Sequence, residues 1–279
     1  MAGRPAQAIE PIKRSGPPRL KLSIAGYSYR KLLTAKEKPM TLDDFIEKGA
    51  ELGLDAVEPT SYYFKDTSPK YLRHLRSKAF RLGLDISGTA VGNDFGHPPG
   101  PKRDQQIAHV KKWIEHAEIL GAPVIRIFAG HAKKGQTPDE AHKLMVEGIE
   151  ACCAYAGEHG IYLALENHGG PTVTAEAMLK IVKDVQSPWF GVNLDTGNFR
   201  SADPYADMAA VAPYALNVQV KVELRVAGKA EPSDYKRIVK ILRDAGYRGY
   251  LALEYEARED PLSAIPRHVA ALREAIHGA

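Results

Sequence analysis

One pattern limits this chain more than any other: a short apolar run followed by an amphipathic segment, repeated eight times from Leu20 onward. The runs are KLSIAGY (21–27), LDAVEP (54–59), LDISGTAV (84–91), APVIRIFAG (122–130), IYLALEN (161–167), FGVNLD (190–195), ALNVQVKV (215–222) and YLALEY (250–255). Runs of this kind belong to strands covered on both faces, as in a parallel sheet with helices outside. The intervening segments carry helix boundaries. Thr137-Pro138-Asp139-Glu140 combines an N-cap, a first-position proline and a capping-box glutamate, and that helix stops at Gly160. Asp104 is expected to open another, with Ile107, Val110, Ile114, Ala117 and Leu120 on one face before Gly121. Ser233 or Asp234 opens a third, which ends at Gly246. ELGLD, RLGLD, EILGAP, GEHGIY and RDAGYRGY are one device, a glycine that ends a helix and turns into the next strand.

Eight such units in about 260 residues fit a single-domain (β/α)8 barrel. An open doubly wound sheet is the alternative, but no G-x-G-x-x-G follows the first strand. The barrel is expected over 20–279. Residues 1–19, rich in Pro, Gly, Ala and basic residues, read as a flexible tail without an apolar signal core; a tail left by trimming stays open.

Of 279 residues, 26% are charged and the net charge is +4, spread without blocks. That balance gives no stripe for a phosphate backbone, and no apolar run reaches a membrane span. The two cysteines, Cys152 and Cys153, are neighbours inside a helical pattern, where a bond between them would be strained. They read as buried reduced thiols, which suits the cytoplasm.

In a barrel the reacting groups project from the C-terminal strand ends. Here those ends carry Tyr27 and Tyr29, Glu58, Arg126 with His131 after it, Glu166-Asn167-His168, Asp195-Thr196-Gly197-Asn198, Gln219 with Lys221 and then Arg225, and Glu254. Glu166, Asp195 and Glu254 each end an apolar run. Three carboxylates at one mouth repel unless a cation neutralises them, and oxygen donors suit Mn²⁺ or Mg²⁺, with Co²⁺ next. Taken singly, each also reads as a salt-bridged or helix-capping carboxylate. His131 and His97 read as solvated loop residues, and His168 as a substrate contact. Tyr27 and Tyr29 could simply close the barrel. Gly169-Gly170-Pro171 reads as a tight turn before a helix, with a phosphate cradle as the other reading. Gln219 and Lys221 share one strand face, expected to be the barrel interior, with Val218 and Val220 on the other. Segments 28–40, 91–104 and 223–233 read as long loops over the mouth.

With LALENHGG, GVNLDTGN, NVQVKVE and YLALEYE in that order, the chain resembles the xylose isomerase-like barrel superfamily, and within it the sugar phosphate isomerase/epimerase group, over about residues 20–276. The resemblance implies one divalent metal held by Glu166, Asp195, Gln219 and Glu254, with Glu166 and Glu254 as acid and base on opposite sides of the substrate. It places Arg225 where relatives carry a substrate-binding arginine. Tyr27, Glu58, Arg126, His168, Asn198 and Lys221 complete the expected substrate contacts. The chain departs from many relatives at Gln219 and Asn198, where they have histidine. The implied activity is isomerisation or epimerisation of a small sugar or keto-sugar by proton transfer next to a carbonyl, through a metal-bound enediolate. The alternative is a lyase acting on an inosose or 3-keto-glycoside. The expected partner is a small carbohydrate, not nucleic acid or membrane, and a homo-oligomer is left open. Abasic-site endonucleases share the barrel but use many histidines where this chain has carboxylates; a non-catalytic sugar-binding barrel is disfavoured by the intact Glu166/Glu254 pair.

Overall fold

The computed structural model describes residues 9–278. Its strands are β1 (Arg19–Ile24), β2 (Ala56–Val57), β3 (Asp85–Ile86), β4 (Thr89–Ala90), β5 (Val124–Ile127), β6 (Tyr162–Glu166), β7 (Phe190–Asp195), β8 (Ala215–Lys221), β9 (Glu223–Val226), β10 (Lys229–Pro232) and β11 (Arg248–Glu254). Seven of them form a parallel sheet in the order β1-β11-β8-β7-β6-β5-β4. The remaining arc is β2 beside β3, joined to the sheet by bridges Ala25↔Glu58 and Thr60↔Ala90. These contacts close the barrel. The third wall strand is broken at Ser87-Gly88 into β3 and β4.

The helices are α1 (Arg30–Leu33), α2 (Leu42–Glu51), α3 (Pro69–Arg81), α4 (Pro101–Leu120), α5 (Pro138–Glu158), α6 (Ala175–Asp184), α7 (Pro204–Val211), α8 (Tyr235–Asp244) and α9 (Pro261–His277). The capping box expected before α5 is present, with the Glu140 amide donating to the Thr137 hydroxyl and the Thr137 amide to the Glu140 carboxylate. α4 starts three residues earlier than Asp104 suggests, because Pro101 takes the first helical position after Gly100. The outward faces of the strands, such as Val218 and Val220 on β8, are fully buried against these helices. Burying each such side chain contributes roughly 1.5–3 kcal/mol.

Two segments differ from their loop-like or tail-like sequence. Residues 223–232 form the antiparallel hairpin β9–β10, not an open loop; its two-residue turn, Ala227-Gly228, has positive φ at both positions (47° and 82°). Of the expected tail, residues 1–8 lie outside the described residues, while residues 9–18 run along the barrel's N-terminal end. There the Ile12 amide donates to Pro213 O (2.9 Å), and the Arg14 guanidinium donates to Ala215 O and lies 5.2 Å over the Tyr247 ring. Both cysteines are free and buried, and burial pushes the Cys152 thiol up to about 12. No helix among the described residues is long and apolar enough to cross a membrane.

Candidate active site

Strand alternation decides what faces the barrel axis. Asn193 and Asp195 on β7, and Asn217, Gln219 and Lys221 on β8, point inward, since each bonds a partner from another wall strand. At the C-terminal end this places Glu166, Asp195, Lys221 and Glu254 around one mouth, with Arg126 of β5 among them, all buried. Arg126 is fixed on several sides. Its Nη1 donates to Val91 O (2.8 Å), its Nη2 to the Tyr62 hydroxyl (3.3 Å), and its guanidinium lies 4.1 Å over the Phe128 ring. Its Nε is 2.9 Å from Glu166 Oε2 but misaligned for a hydrogen bond, so the contact is one of charge. Asn198 Nδ2 donates to the other Glu166 oxygen (3.0 Å). Lys221 Nζ lies 2.6 Å from Glu254, 3.0 Å from Glu256 and 3.3 Å from Asp195 Oδ2. Asn167 clips the backbone of Asp195 at both its N–H and its C=O (2.8 Å each). Asp195 Oδ1 accepts the Gly197 amide, whereas Oδ2 is buried without a hydrogen bond.

These surroundings pull the carboxyls apart in acidity. Burial pushes Glu166 well above the usual carboxylate range; Arg126 opposes the shift, but the charges of Asp195 and Glu254 add to it. Burial likewise takes Asp195 up to about 7, against the attraction of Lys221. Glu254 is buried too, yet the charge and hydrogen bond of Lys221 outweigh burial and hold it below its ordinary value. Lys221 gains in turn: burial would lower it, but the surrounding carboxylates raise it well above the normal lysine range.

Under this cluster lies a polar floor. Glu58 is fully buried and accepts from Asn217 Nδ2 (2.6 Å) and Gln219 Nε2 (2.8 Å). Gln219 Oε1 accepts from Asn193 Nδ2 (2.8 Å), so both ends of the Gln219 amide are engaged. Burial raises Glu58 to about 7 despite its two donors.

Above the cluster opens a cavity of about 220 Å³ lined by Tyr27, Tyr62, Arg126, Phe128, Glu166, His168, Lys221, Glu254 and Glu256. His168 packs on Phe128 with ring centroids 4.4 Å apart, and burial holds its imidazole below the usual value. Of the residues singled out in the sequence, Tyr27, Arg126, Glu166, His168, Lys221 and Glu254 meet in this cavity. Asp195 reaches it through Lys221. Glu58 and Gln219 sit in the floor. Asn198 and Arg225 line a neighbouring cavity, where Arg225 Nη1 donates to Gly228 O (3.0 Å). Tyr29 belongs to the core, edge-on to Phe45. His97 lines a separate surface groove with Pro98 and Lys133, and exposed His131 lies against the Gly169-Gly170 turn. That turn runs into a single 3₁₀ turn (Gly170–Thr172), the tight-turn reading. Tyr62, Phe128, Asn193, Asn217 and Glu256 escaped the sequence reading. The signal for Glu256 and Asn193 was there: each lies two residues from a chosen carboxylate, on the same strand parity.

The oxygens of Glu166, Asp195 and Glu254 suit a hard divalent ion, and the unbonded Asp195 Oδ2 is a ready donor. As arranged here, no three His, Cys, Asp or Glu side chains among the described residues converge as a metal site requires. The Lys221 ammonium lies among them instead. Glu256 lies 3.0 Å from the same ammonium.

An uncharacterised protein of Methanocaldococcus jannaschii is 26% identical over 176 residues, a match spanning 59% of this chain and 59% of that protein. A putative hydroxypyruvate isomerase of Homo sapiens is 21% identical over 76% of this chain and 83% of its own length. Among solved structures, a D-psicose 3-epimerase superposes with a TM-score of 0.77 at 21% identity, covering 93% of this chain and 100% of the epimerase. A sequence model described as xylose isomerase-like TIM barrel matches residues 46–275, and the chain belongs to that family.

Proposed function

We propose that this protein is an isomerase or epimerase of a small sugar or keto-sugar that moves a proton on the carbon beside a carbonyl. The observation that carries the reading is geometric: two buried glutamates line one cavity, Glu254 with the Lys221 ammonium at 2.6 Å and Glu166 with the Arg126 guanidinium at 2.9 Å, and these unlike surroundings push the pKa of Glu254 down and that of Glu166 up. Paired carboxyls driven apart in this way divide into base and acid. The similarity to proteins named as a psicose 3-epimerase and a hydroxypyruvate isomerase points the same way.

Glu254 removes the proton and Glu166 returns one. Arg126, locked by Val91, Tyr62 and Phe128, presents a fixed positive charge to the oxygen that becomes negative. Tyr27, Tyr62, Phe128 and His168 form the wall that shapes the sugar and keeps bulk water out. A divalent ion, Mn²⁺ or Mg²⁺ before Co²⁺, would be held by Glu166, Asp195 and Glu254 and would supply Lewis-acid polarisation of the carbonyl. Gln219, whose Oε1 already accepts from Asn193 Nδ2, could join as a fourth donor through the second lone pair of that oxygen.

The test is exchange in D₂O. Protein supplied with Mn²⁺ is incubated with free ketoses, sugar phosphates, inososes and 3-keto-glycosides and followed by NMR. Deuterium at the carbon beside the carbonyl, without loss of water or aglycone, is the expected result. Loss of either assigns lyase chemistry instead, and no exchange with any of them removes the proposal. Glu254→Gln, nearly isosteric but unable to accept the proton, should lose roughly 10²- to 10⁴-fold in kcat at saturating Mn²⁺.

A further inference from the structure

We propose that Lys221 is a built-in competitor of the divalent ion: its ammonium sits on two of the carboxylates the ion would use, and so sets how much free metal the protein needs before it is loaded. This rests on the ligand set given under the proposed function. The ammonium lies 2.6 Å from Glu254 Oε2 and 3.3 Å from Asp195 Oδ2. The Asp195 oxygen is buried and makes no hydrogen bond, so the ammonium is the group that offsets its charge.

The chain itself aims this lysine. The Lys221 amide donates to Thr196 Oγ1 (2.9 Å), and its carbonyl accepts from the Ser233 hydroxyl (2.6 Å), so the backbone is pinned on both sides of the side chain. The stem runs past Gly197, where a Cβ would come within 2.6 Å of Lys221 Cγ and 2.8 Å of its Cβ. Any side chain at that position would push the stem off its path. The residue is only 6% exposed, so water does not compete for the ammonium as it would at the surface. A buried ammonium holds its carboxylates strongly, because losing them leaves an unpaired charge. A divalent ion and an ammonium on the same carboxylates repel, and burial weakens the screening between them. One therefore excludes the other. An ion that must first displace a cation seated in more than about nine molecules of ten binds roughly tenfold or more weakly.

The experiment counts free Mn²⁺ by electron paramagnetic resonance while the full-length chain is titrated. Lys221→Met keeps the stem and removes the charge, and should bind Mn²⁺ roughly tenfold or more tightly than the wild type. In Lys221→Ala, added ethylammonium should weaken Mn²⁺ binding at constant ionic strength, whereas tetramethylammonium, which has no N–H to donate, should not. Equal or weaker binding by Lys221→Met, or no effect of ethylammonium, overturns the competitor. If the variants do not fold, a crystal of the wild type soaked in Mn²⁺ decides. An ion on Asp195 and Glu254 with the ammonium displaced from both supports the proposal; an ion there with the ammonium unmoved, or no ion at all, overturns it. Exchange in D₂O with a ketose, together with unchanged Mn²⁺ binding in Lys221→Met, leaves the proposed function standing and this inference rejected. Tighter binding by the variant with no exchange on any sugar does the reverse.

Discussion

Asp195 has one oxygen on the Gly197 amide, and the other is buried without a hydrogen bond, 3.3 Å from the Lys221 ammonium. Its carboxyl is raised to about 7 in the fold, above the unfolded value of about 3.9. A group raised on folding stabilises fully below its unfolded value, and that contribution is lost as pH climbs to the folded one. In chelator, the melting temperature of the wild type minus that of Asp195→Asn should therefore fall from pH 5 to pH 8, by roughly several degrees. Added Mn²⁺ should raise the wild type alone. A difference that stays flat with pH would show that Asp195 is ionised throughout. The carboxylates themselves were legible in the sequence, because a strand end in a barrel fixes where its last side chain goes. Arg126 and Lys221 were legible there too, but the pairings beneath them were not. Asn217 and Glu58 are 159 positions apart, and pairings across a barrel leave no local mark on the chain.

At the scale of elements, the eight wall strands lie where the apolar runs put them, since burial on both faces demands such runs. The β9–β10 hairpin was missed for the converse reason: Lys229–Pro232 is exposed throughout and has no apolar face to reveal a period of two. The break between β3 and β4 was equally silent. It falls at Gly88, where a Cβ would lie 2.9 Å from Val124 Cγ1 and 3.1 Å from Val124 O. Val124 is β-branched and held in β5, so neither atom can yield cheaply. The same Cβ would come within 3.6 Å of Glu58 Oε2. Gly88→Ala should cost about 1–3 kcal/mol in urea unfolding and disturb the floor beneath the site. An unchanged midpoint would mean that the wall relaxes there freely.

On the scale of the molecule, the barrel's two ends do different work. The mouth carries the charged cluster, while the opposite end is strapped by residues 9–18, with Arg14 lying over Tyr247 and donating to Ala215 O. Arg14→Ala should lower the melting temperature by roughly 2–6 °C through the lost cation–π and charged hydrogen bond, with kcat unchanged because the strap is remote from the mouth. A loss of activity without a loss of stability would contradict that division. The charged cluster has a consequence for how the protein comes into being. Small zinc domains stay unfolded until their metal arrives, because nothing else offsets the gathered ligands. Here Lys221 enters the barrel on β8 as part of the chain and brings a positive charge to Asp195 and Glu254 as soon as the strands assemble. Such a chain can leave the ribosome and reach its native shape in a metal-poor cell, and the divalent ion of the proposed reaction would then be needed for chemistry and not for folding.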